Sequence, residues 1–210
     1  MICVNDSRWV DRLIVMRGWG RQSSLFGERA KSELLKNRFK QKLAGIPYDS
    51  KFIFSEVGYN FLPLELSAAF ALEQLKKFPK FASARRKNFA ELTKFFEKYD
   101  KYFDLAVQTP ETETVWLAFP LMIKDNAPFS RLELVTFLEA NNIQTRPLFT
   151  GNILKQPGYK DIPHRLAQKN YPGAEAVMRN SLLIGCHHGL TSVQLSYLKS
   201  KFSEFLSLYK

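Results

Sequence analysis

The second half of the sequence alternates apolar runs with segments of helical spacing, and this alternation restricts the fold more than any other feature. Val115–Ile123 is a nearly continuous apolar run, Ile143–Phe149 is a second, and Leu182–Cys186 is a third. Short apolar runs of this length, bounded by polar turn residues, are typical of buried strands. Three strands are therefore predicted between residues 115 and 186.

Helix start signals lie between and after these runs. Ser130–Glu133 and Thr191–Gln194 both match the capping box. In this motif the side chain of the first residue accepts a hydrogen bond from the N–H of the fourth, and the side chain of the fourth accepts one from the N–H of the first. Pro172–Met178 predicts a short helix between them, because proline suits the first turn. Helices packed on a sheet give a compact layered α/β domain of about one hundred residues, close to the commonest domain size.

The first half is less regular. Ile2–Val4 predicts the end of a strand, and Asn5-Asp6-Ser7 predicts the cap of a short helix that ends at Gly18. Residues 18–50 are rich in glycine, serine and charge, which predicts a long irregular segment.

Two prolines bracket the middle of the chain. Pro63 precedes apolar residues at helical spacing and predicts a helix start, and Pro79 predicts the restart of the chain into a second long helix. That second helix carries an apolar and aromatic stripe, which is more typical of a core face than of a cofactor site. Its members are Phe89, Leu92, Phe96 and Tyr99.

Gly58-Tyr59-Asn60-Phe61 lies between an apolar run and the helix that begins near Pro63. A glycine and an asparagine beside the positive end of a helix dipole would offer backbone N–H groups and a side-chain amide to an anion, most often a phosphate. The same pattern is also typical of a simple turn with a helix cap. From these residues alone both interpretations stay open.

Composition narrows the function classes only broadly. The 210 residues are 45% hydrophobic and carry 31 Lys and Arg against 20 Asp and Glu, a formal charge of +11. This charge favours polyanionic partners such as nucleic acid, acidic lipid or phosphorylated metabolites, although basic residues spread along helices are usually solvated faces. No apolar run approaches the roughly 20 residues that cross a bilayer, and Met1–Asp6 lacks a signal-peptide layout, so a cytoplasmic protein is expected.

Cys186-His187-His188 combines good zinc ligands, with His164 as the only other histidine and Cys3 as the only other cysteine. Adjacent histidines seldom reach one ion, and this spacing matches no metal pattern. The pattern favours a turn before the last helix, with no metal. Arg146, followed by Thr150-Gly151-Asn152, could present a guanidinium and an amide to a phosphate or hydroxyl, or form a surface salt bridge.

Several segments together resemble the sugar aminotransferase and dehydrase family of the DegT/StrS type, over essentially the whole chain. They are Met1–Asp6, Gly18–Arg21, Gly58–Phe61 with Glu65-Leu66 and Ala68-Ala69, Arg85-Arg86, and Thr150–Pro157. The Gly-Asn pair at 151 and 152 is most similar to the branch of CDP-4-keto-6-deoxy-glucose 3-dehydrases.

The resemblance implies the fold and the chemistry. It indicates the carboxyl-terminal portion of a fold-type I, pyridoxal-phosphate-dependent α/β enzyme, a homodimer acting on a nucleotide-linked 4-keto-6-deoxyhexose in lipopolysaccharide biosynthesis. Residues 1–78 would be the end of the large cofactor-binding domain with an interdomain helix, and residues 79–210 the small domain. The family's Schiff-base lysine, or the histidine of its dehydrases, precedes the segment matched by Met1–Asp6. No catalytic residue is therefore expected here, and the chain would be inactive alone.

The resemblance also assigns roles within the chain. Asn60 matches an asparagine that reaches the cofactor phosphate of the other subunit, with Tyr59 beside it in the cofactor site. The predicted substrate-side residues are Arg21, Arg146, Asn152 and His188. The cofactor would be pyridoxal 5'-phosphate or pyridoxamine phosphate, with neither membrane nor nucleic acid as a partner.

One departure concerns iron. Iron–sulfur members of the family place several cysteines directly after the Gly-Trp-Gly-Arg segment, whereas Gln22-Ser23-Ser24-Leu25 follows here. Such clusters need about four thiolates, so no cluster is expected. Two other hypotheses remain open, a basic polyanion-binding module and a non-catalytic subunit that pairs with a separate catalytic chain.

Overall fold

The structure, a computed structural model, describes residues 2–26, 38–149, 151–159 and 161–209. The chain divides into two compact units, Met1–Gln74 and Leu75–Lys210.

The first unit contains one short helix, a small hairpin and three single turns of 3-10 helix in its described part. They are the 3-10 turn Ser7–Trp9, α1 (Val10–Arg17), the 3-10 turn Gln22–Phe26, β1 (Lys42–Leu43), β2 (Ile46–Pro47) and the 3-10 turn Ser50–Phe52. Asp6 caps the first turn by accepting the Arg8 N–H, and α1 ends before Gly18 as predicted. The predicted irregular segment is confirmed where it is described, and its residues 27–37 lie outside the described residues.

The strand predicted at Ile2–Val4 is wrong. These residues are exposed and irregular, and no described segment pairs with them. An isolated strand leaves its backbone groups unpaired, so an apolar triplet alone does not hold an extended conformation.

The longest helix, α2 (Glu65–Phe96), begins in the first unit and ends in the second. The predicted restart at Pro79 is wrong, since α2 continues through it. Proline removes one N–H and crowds the carbonyl four residues earlier. Pro79 and Leu75 are both exposed, so water can satisfy the released carbonyl.

The second unit is a four-stranded sheet with helices. Its elements are β3 (Phe103–Leu105), β4 (Ala118–Ile123), α3 (Arg131–Ala140), β5 (Thr145–Pro147), α4 (Pro172–Asn180), β6 (Ser181–Gly185) and α5 (Ser192–Ser207). The strand order is β3-β4-β6-β5 and every pair is antiparallel. Both capping boxes form, at Ser130 and at Thr191.

The core of the second unit lies between the sheet and α2, α3 and α5. Burial alternates along β4, where Phe119, Leu121 and Ile123 point inward. Leu92 and Phe96 of α2 are fully buried against them, with Phe89 and Tyr99 half-buried at the edge, so the aromatic stripe is core as predicted. Two predicted strands are shorter than their apolar runs, and β3 was not predicted. No helix in the described part of the chain combines the length and apolar content that a membrane span requires.

Candidate functional site

Two of the sequence motifs form one backbone structure in the first unit. The Trp19 N–H donates to Tyr59 O over 2.8 Å, and the Phe61 N–H donates to Arg17 O over 2.9 Å. Gly18 and Asn60 face each other as a bridge pair between these bonds. The Gly18–Arg21 segment and the Gly58–Phe61 segment are therefore held side by side, although 40 residues separate them in sequence.

Two glycines allow this close approach. A Cβ atom on Gly58 would lie 2.1 Å from Gly20 N, and one on Gly20 would lie 1.8 Å from Glu56 O. Gly20 also has φ +79°, in the left-handed region that favours glycine. The pairing of the two segments therefore depends on both residues lacking a side chain.

The structure contradicts one part of the predicted anion site at Gly58–Phe61, the free backbone N–H groups. The Tyr59 N–H donates to Met16 O over 2.6 Å and the Phe61 N–H is also used, so neither is available to a ligand. The nearest helix start is at Glu65, and an acidic residue in the first turn opposes the binding of a further anion there. The N–H groups of Tyr59 and Phe61 are therefore not part of a free anion site.

The Asn60 side chain differs from these backbone N–H groups. Its side chain is exposed, and no described residue hydrogen-bonds to its amide. Tyr59 is exposed and its ring stacks on Phe61, with ring centroids 5.0 Å apart. The structure thus offers an uncommitted amide on a rigid backbone, next to an aromatic face.

Arg21 lies at the end of the same backbone pairing, opposite Phe54. Its guanidinium carbon is 4.4 Å from the centre of the Trp19 ring and 5.8 Å from that of Phe54. Its Nε atom is buried and has no hydrogen-bond partner among the described residues. Arg21, Tyr59 and Asn60 are therefore brought together by one set of backbone contacts.

Arg146 lies on β5, one of the two edge strands of the second unit's sheet, and is exposed. Its Nη1 donates to Thr145 O over 2.6 Å, and among the described residues it forms no ion pair. Hydrogen bonds from Thr145, with the Arg146 charge nearby, lower the pKa of Glu139. Arg146 and His187 line one cavity of about 540 Å³.

Asn152 is buried, and both ends of its amide are used. Its Nδ2 donates to Glu175 Oε1 over 2.6 Å, and its Oδ1 accepts the Leu154 N–H over 3.1 Å. It thereby caps the 3-10 turn Ile153–Lys155 and fixes this loop to α4. Thr150, which precedes this loop in the motif, lies outside the described residues.

The segment Cys186-His187-His188 follows the end of β6, and its three residues have different environments. Cys186 is buried, the carbonyl of His187 accepts a hydrogen bond from Asn88 Nδ2, and His188 stacks on Phe81 with ring centroids 3.8 Å apart. Residues 188 and 189 form the predicted turn. Within the described ranges, no three His, Cys, Asp or Glu side chains are grouped to hold a metal ion.

The two cysteines are expected to differ sharply in alkylation. Burial raises the pKa of the Cys186 thiol to about 11, so at pH 8 on the order of 0.1% of it is thiolate, whereas Cys3 is exposed. Iodoacetamide should label Cys3 in the native chain and Cys186 only in denaturant, as read by peptide mass spectrometry. A Cys3→Ser variant should show no native labelling; rapid labelling of Cys186 in that variant would contradict its burial.

Sequence reasoning missed two features of these sites. It did not identify Glu175 as the partner of Asn152, because the two lie 23 residues apart. It also did not select His187, which lines the cavity beside Arg146. Side chains alternate in direction along a strand, but this strand ends at Gly185. The alternation therefore does not predict which of the two following histidines faces the cavity.

The comparisons with known proteins agree with the resemblance. A family model described as the DegT/DnrJ/EryC1/StrS aminotransferase family matches residues 1–202. The lipopolysaccharide biosynthesis protein RfbH of Salmonella typhimurium is 34% identical over 81% of this chain and 39% of that protein. The dTDP-4-dehydro-2,6-dideoxy-D-glucose 3-dehydratase of Saccharopolyspora spinosa is 34% identical over 91% of this chain and 41% of that protein.

A solved structure gives the fold. The Escherichia coli GDP-4-keto-6-deoxy-D-mannose-3-dehydratase with bound hydrated PLP has 31% identity and a TM-score of 0.70, covering 92% of this chain and 46% of that one. The predicted fold, the carboxyl-terminal part of a PLP-dependent α/β transferase, is therefore confirmed. The chain spans about two fifths of the length of the curated relatives it matches.

Proposed function

We propose that this chain, which belongs to the DegT/DnrJ/EryC1/StrS aminotransferase family, forms the carboxyl-terminal part of a PLP-dependent nucleotide-sugar 3-dehydratase. Its substrate would be a nucleotide-linked 4-keto-6-deoxyhexose of lipopolysaccharide biosynthesis, in the cytoplasm. The observation that carries the proposal is Asn60, whose amide has no partner in the described part of the chain and is held on the backbone pairing of Gly18–Arg21 with Gly58–Phe61. The relative from Saccharopolyspora spinosa and the solved Escherichia coli structure are both named as 3-dehydratases, which favours dehydration over amino transfer.

The residues present fit one side of a PLP site. Among the described residues, neither the Asn60 amide nor the buried Nε of Arg21 has a hydrogen-bond partner, and both are hydrogen-bond donors suited to phosphate oxygens. When bound, PLP supplies the electron sink that stabilises negative charge on a substrate carbon. Asn60 would hold the phosphate, and the exposed ring of Tyr59 would border it.

The acid–base group for the reaction is proposed to come from polypeptide outside this chain. His187 and His188 lie in the second unit; the carbonyl oxygen of His187 accepts a hydrogen bond from Asn88 Nδ2, and the ring of His188 stacks on Phe81. The chain would then bind and orient ligands but would be inactive alone. This agrees with its covering only two fifths of its relatives.

The first half of α2 supports a larger assembly. Leu66, Phe70 and Leu72 of this helix, and Leu64 just before it, are between 61% and 82% exposed. Their spacing spreads them around the helix rather than along one stripe. A helix that is apolar on all sides is normally buried. We therefore propose that further polypeptide of a homodimer covers this segment.

The domain division and the substrate side are part of the same proposal. Residues 1–78 would complete the large domain and residues 79–210 form the small one. Arg146 would offer its exposed guanidinium to the substrate, and His188 its ring. Asn152 would act by holding its loop to Glu175, because its own amide is already bonded.

Replacing Asn60 with alanine is expected to weaken PLP binding about tenfold to a hundredfold, the usual loss for one hydrogen bond to a charged group. The chain would be expressed together with its adjoining upstream coding region, and the cofactor titrated by absorbance. Asn5→Ala, also exposed in the first unit, serves as the matched control. An Asn60→Ala protein with the wild-type dissociation constant would remove this role.

The reaction itself is tested with the same joined protein, a nucleotide-linked 4-keto-6-deoxyhexose, PLP and glutamate as amino donor. Mass spectrometry distinguishes loss of the 3-hydroxyl from gain of an amino group. Loss of the hydroxyl is expected. A product carrying a new amino group would assign the aminotransferase activity instead, and no product with any such sugar would overturn the proposed function.

A further inference from the structure

The part of α2 that belongs to the second unit carries a row of lysines on its outer face. Lys80, Lys87 and Lys94 recur every seven residues, and all three are exposed. Seven residues are nearly two helical turns, so the three side chains leave the helix on the same side, about 10 Å apart. The buried residues of α2, among them Leu92 and Phe96, lie on the opposite side. We call Lys80, Lys87 and Lys94 the lysine row.

The charges of the lysine row are not balanced within the described part of the chain, where none of its members forms an ion pair or a hydrogen bond. Residues 75–98 contain eight Lys and Arg but only two acidic residues, Glu91 and Glu97. The Glu91 carboxylate is already used, since its Oε1 lies 2.6 Å from Lys199 Nζ of α5. Glu97 follows the end of α2 and has Lys98 beside it in sequence. The outer face of this helix is therefore positive along its length.

This pattern differs from that of an ordinary solvated helix face. Such a face usually alternates positive and negative charges, because neighbouring pairs of opposite sign stabilise the helix. The lysine row has one sign only. A helix with a basic face of this kind is typical of proteins that bind an anionic surface.

The shape of the row favours a flat partner. The residues between the lysines on this face include Ser83 and Ala90, which are small and exposed, so no bulky side chain separates the ammonium groups from a plane laid against them. The row lies on the convex side of a helix and does not line a groove that could enclose a nucleic-acid strand. It also contains no aromatic ring for base stacking and no arginine fork for bidentate phosphate contacts.

We propose that the lysine row binds the anionic surface of a lipid bilayer, through attraction between its ammonium groups and phospholipid headgroups. Basic side chains near such a surface each add to the attraction, which acts over about a Debye length. The contact is peripheral and needs no apolar insertion. It selects acidic lipid among the polyanionic partners that the charge of +11 favours, whereas the family resemblance gives no membrane partner. It does not depend on the proposed catalytic function.

The test is sedimentation of the chain with lipid vesicles. One set of vesicles is made of phosphatidylcholine alone and the other of phosphatidylcholine mixed with phosphatidylglycerol. The chain is expected to sediment with the mixed vesicles at low salt and to remain in solution with the neutral ones. Binding should be lost in about 1 M salt, where the Debye length falls to about 3 Å.

Replacing all three lysines of the row with glutamine should weaken binding to the mixed vesicles at least about tenfold. The fold should be retained because the three side chains are exposed, and far-UV circular dichroism checks it. The matched control replaces Lys124, Lys169 and Lys201 with glutamine. It removes the same charge from the second unit, where Lys124 and Lys201 are ion-paired with Asp104 and Glu204. Its affinity should stay within about twofold of the wild type.

Three results would overturn the proposal: no binding to the mixed vesicles, equal binding to both kinds of vesicle, or equal loss in the row variant and the control. A short DNA duplex is titrated in parallel. If the duplex binds through the row and the vesicles do not, the row belongs to a nucleic-acid surface and the lipid proposal is wrong. The proposed function is unaffected by any of these results, because cofactor binding and catalysis by the joined protein are measured without vesicles.

Discussion

Gly20→Ala is expected to lower the free energy of unfolding of the first unit by about 3 kcal/mol or more, through a steric clash added to backbone strain. The new Cβ would lie 1.8 Å from Glu56 O and 2.8 Å from its carbonyl carbon, which are backbone atoms that cannot rotate away. At φ +79° the residue is also in a conformation that disfavours any side chain. Relief requires the 18–21 segment to move away from the 55–58 segment.

Gly45→Ala separates the two causes. Gly45 has φ +82°, nearly the same as Gly20, but no atom of the described residues lies within 4 Å of its added Cβ. Alanine there should cost only the conformational term, about 1–2 kcal/mol. Hydrogen exchange of the Trp19, Tyr59 and Phe61 amides, together with urea unfolding, measures both variants. Equal losses at the two sites would show that the close approach at Gly20 contributes nothing.

The Gly20 result bears directly on the candidate site. The Trp19 and Phe61 hydrogen bonds hold Asn60 opposite Gly18, and the Gly18–Arg21 segment also places Arg21 opposite Phe54. Separation of the segments would therefore remove the Asn60 amide and the Arg21 guanidinium from their common framework. Cofactor binding by the joined protein should fall in Gly20→Ala and be retained in Gly45→Ala.

Local signals in the sequence predicted most of the second unit. Ser130 with Glu133, and Thr191 with Gln194, each specify a helix start through four consecutive residues, and both boxes form. The strand Phe103–Leu105 was not predicted, because three residues cannot establish an alternation and its position depends on pairing with β4. Pro79 was misjudged because the cost of a missing hydrogen bond is small where the carbonyl faces solvent.

The site was only partly predictable for a related reason. The importance of Gly58 and Asn60 was visible in their own segment, but the partners of the neighbouring N–H groups, Met16 and Arg17, lie more than 40 residues away. A sequence shows which backbone groups exist and not which carbonyls they meet. Two of the backbone N–H groups in the predicted anion site, those of Tyr59 and Phe61, instead donate to these distant acceptors. The uncommitted side chain of Asn60 remained.

Phe96→Ala is expected to lower the stability of the second unit by about 3–5 kcal/mol, the range for removing a fully buried phenylalanine. Its ring is 0% exposed and contacts Phe202 at 4.9 Å, Phe119 at 5.4 Å and Phe103 at 5.6 Å between centroids. These three rings come from α5, β4 and β3, so one cavity loosens the packing of the sheet against two helices. Phe149→Ala, at a residue 85% exposed, should change stability by less than about 0.5 kcal/mol. Denaturant unfolding followed by far-UV circular dichroism compares them, and a Phe96→Ala loss as small as that of Phe149→Ala would mean that the core is not organised around this ring.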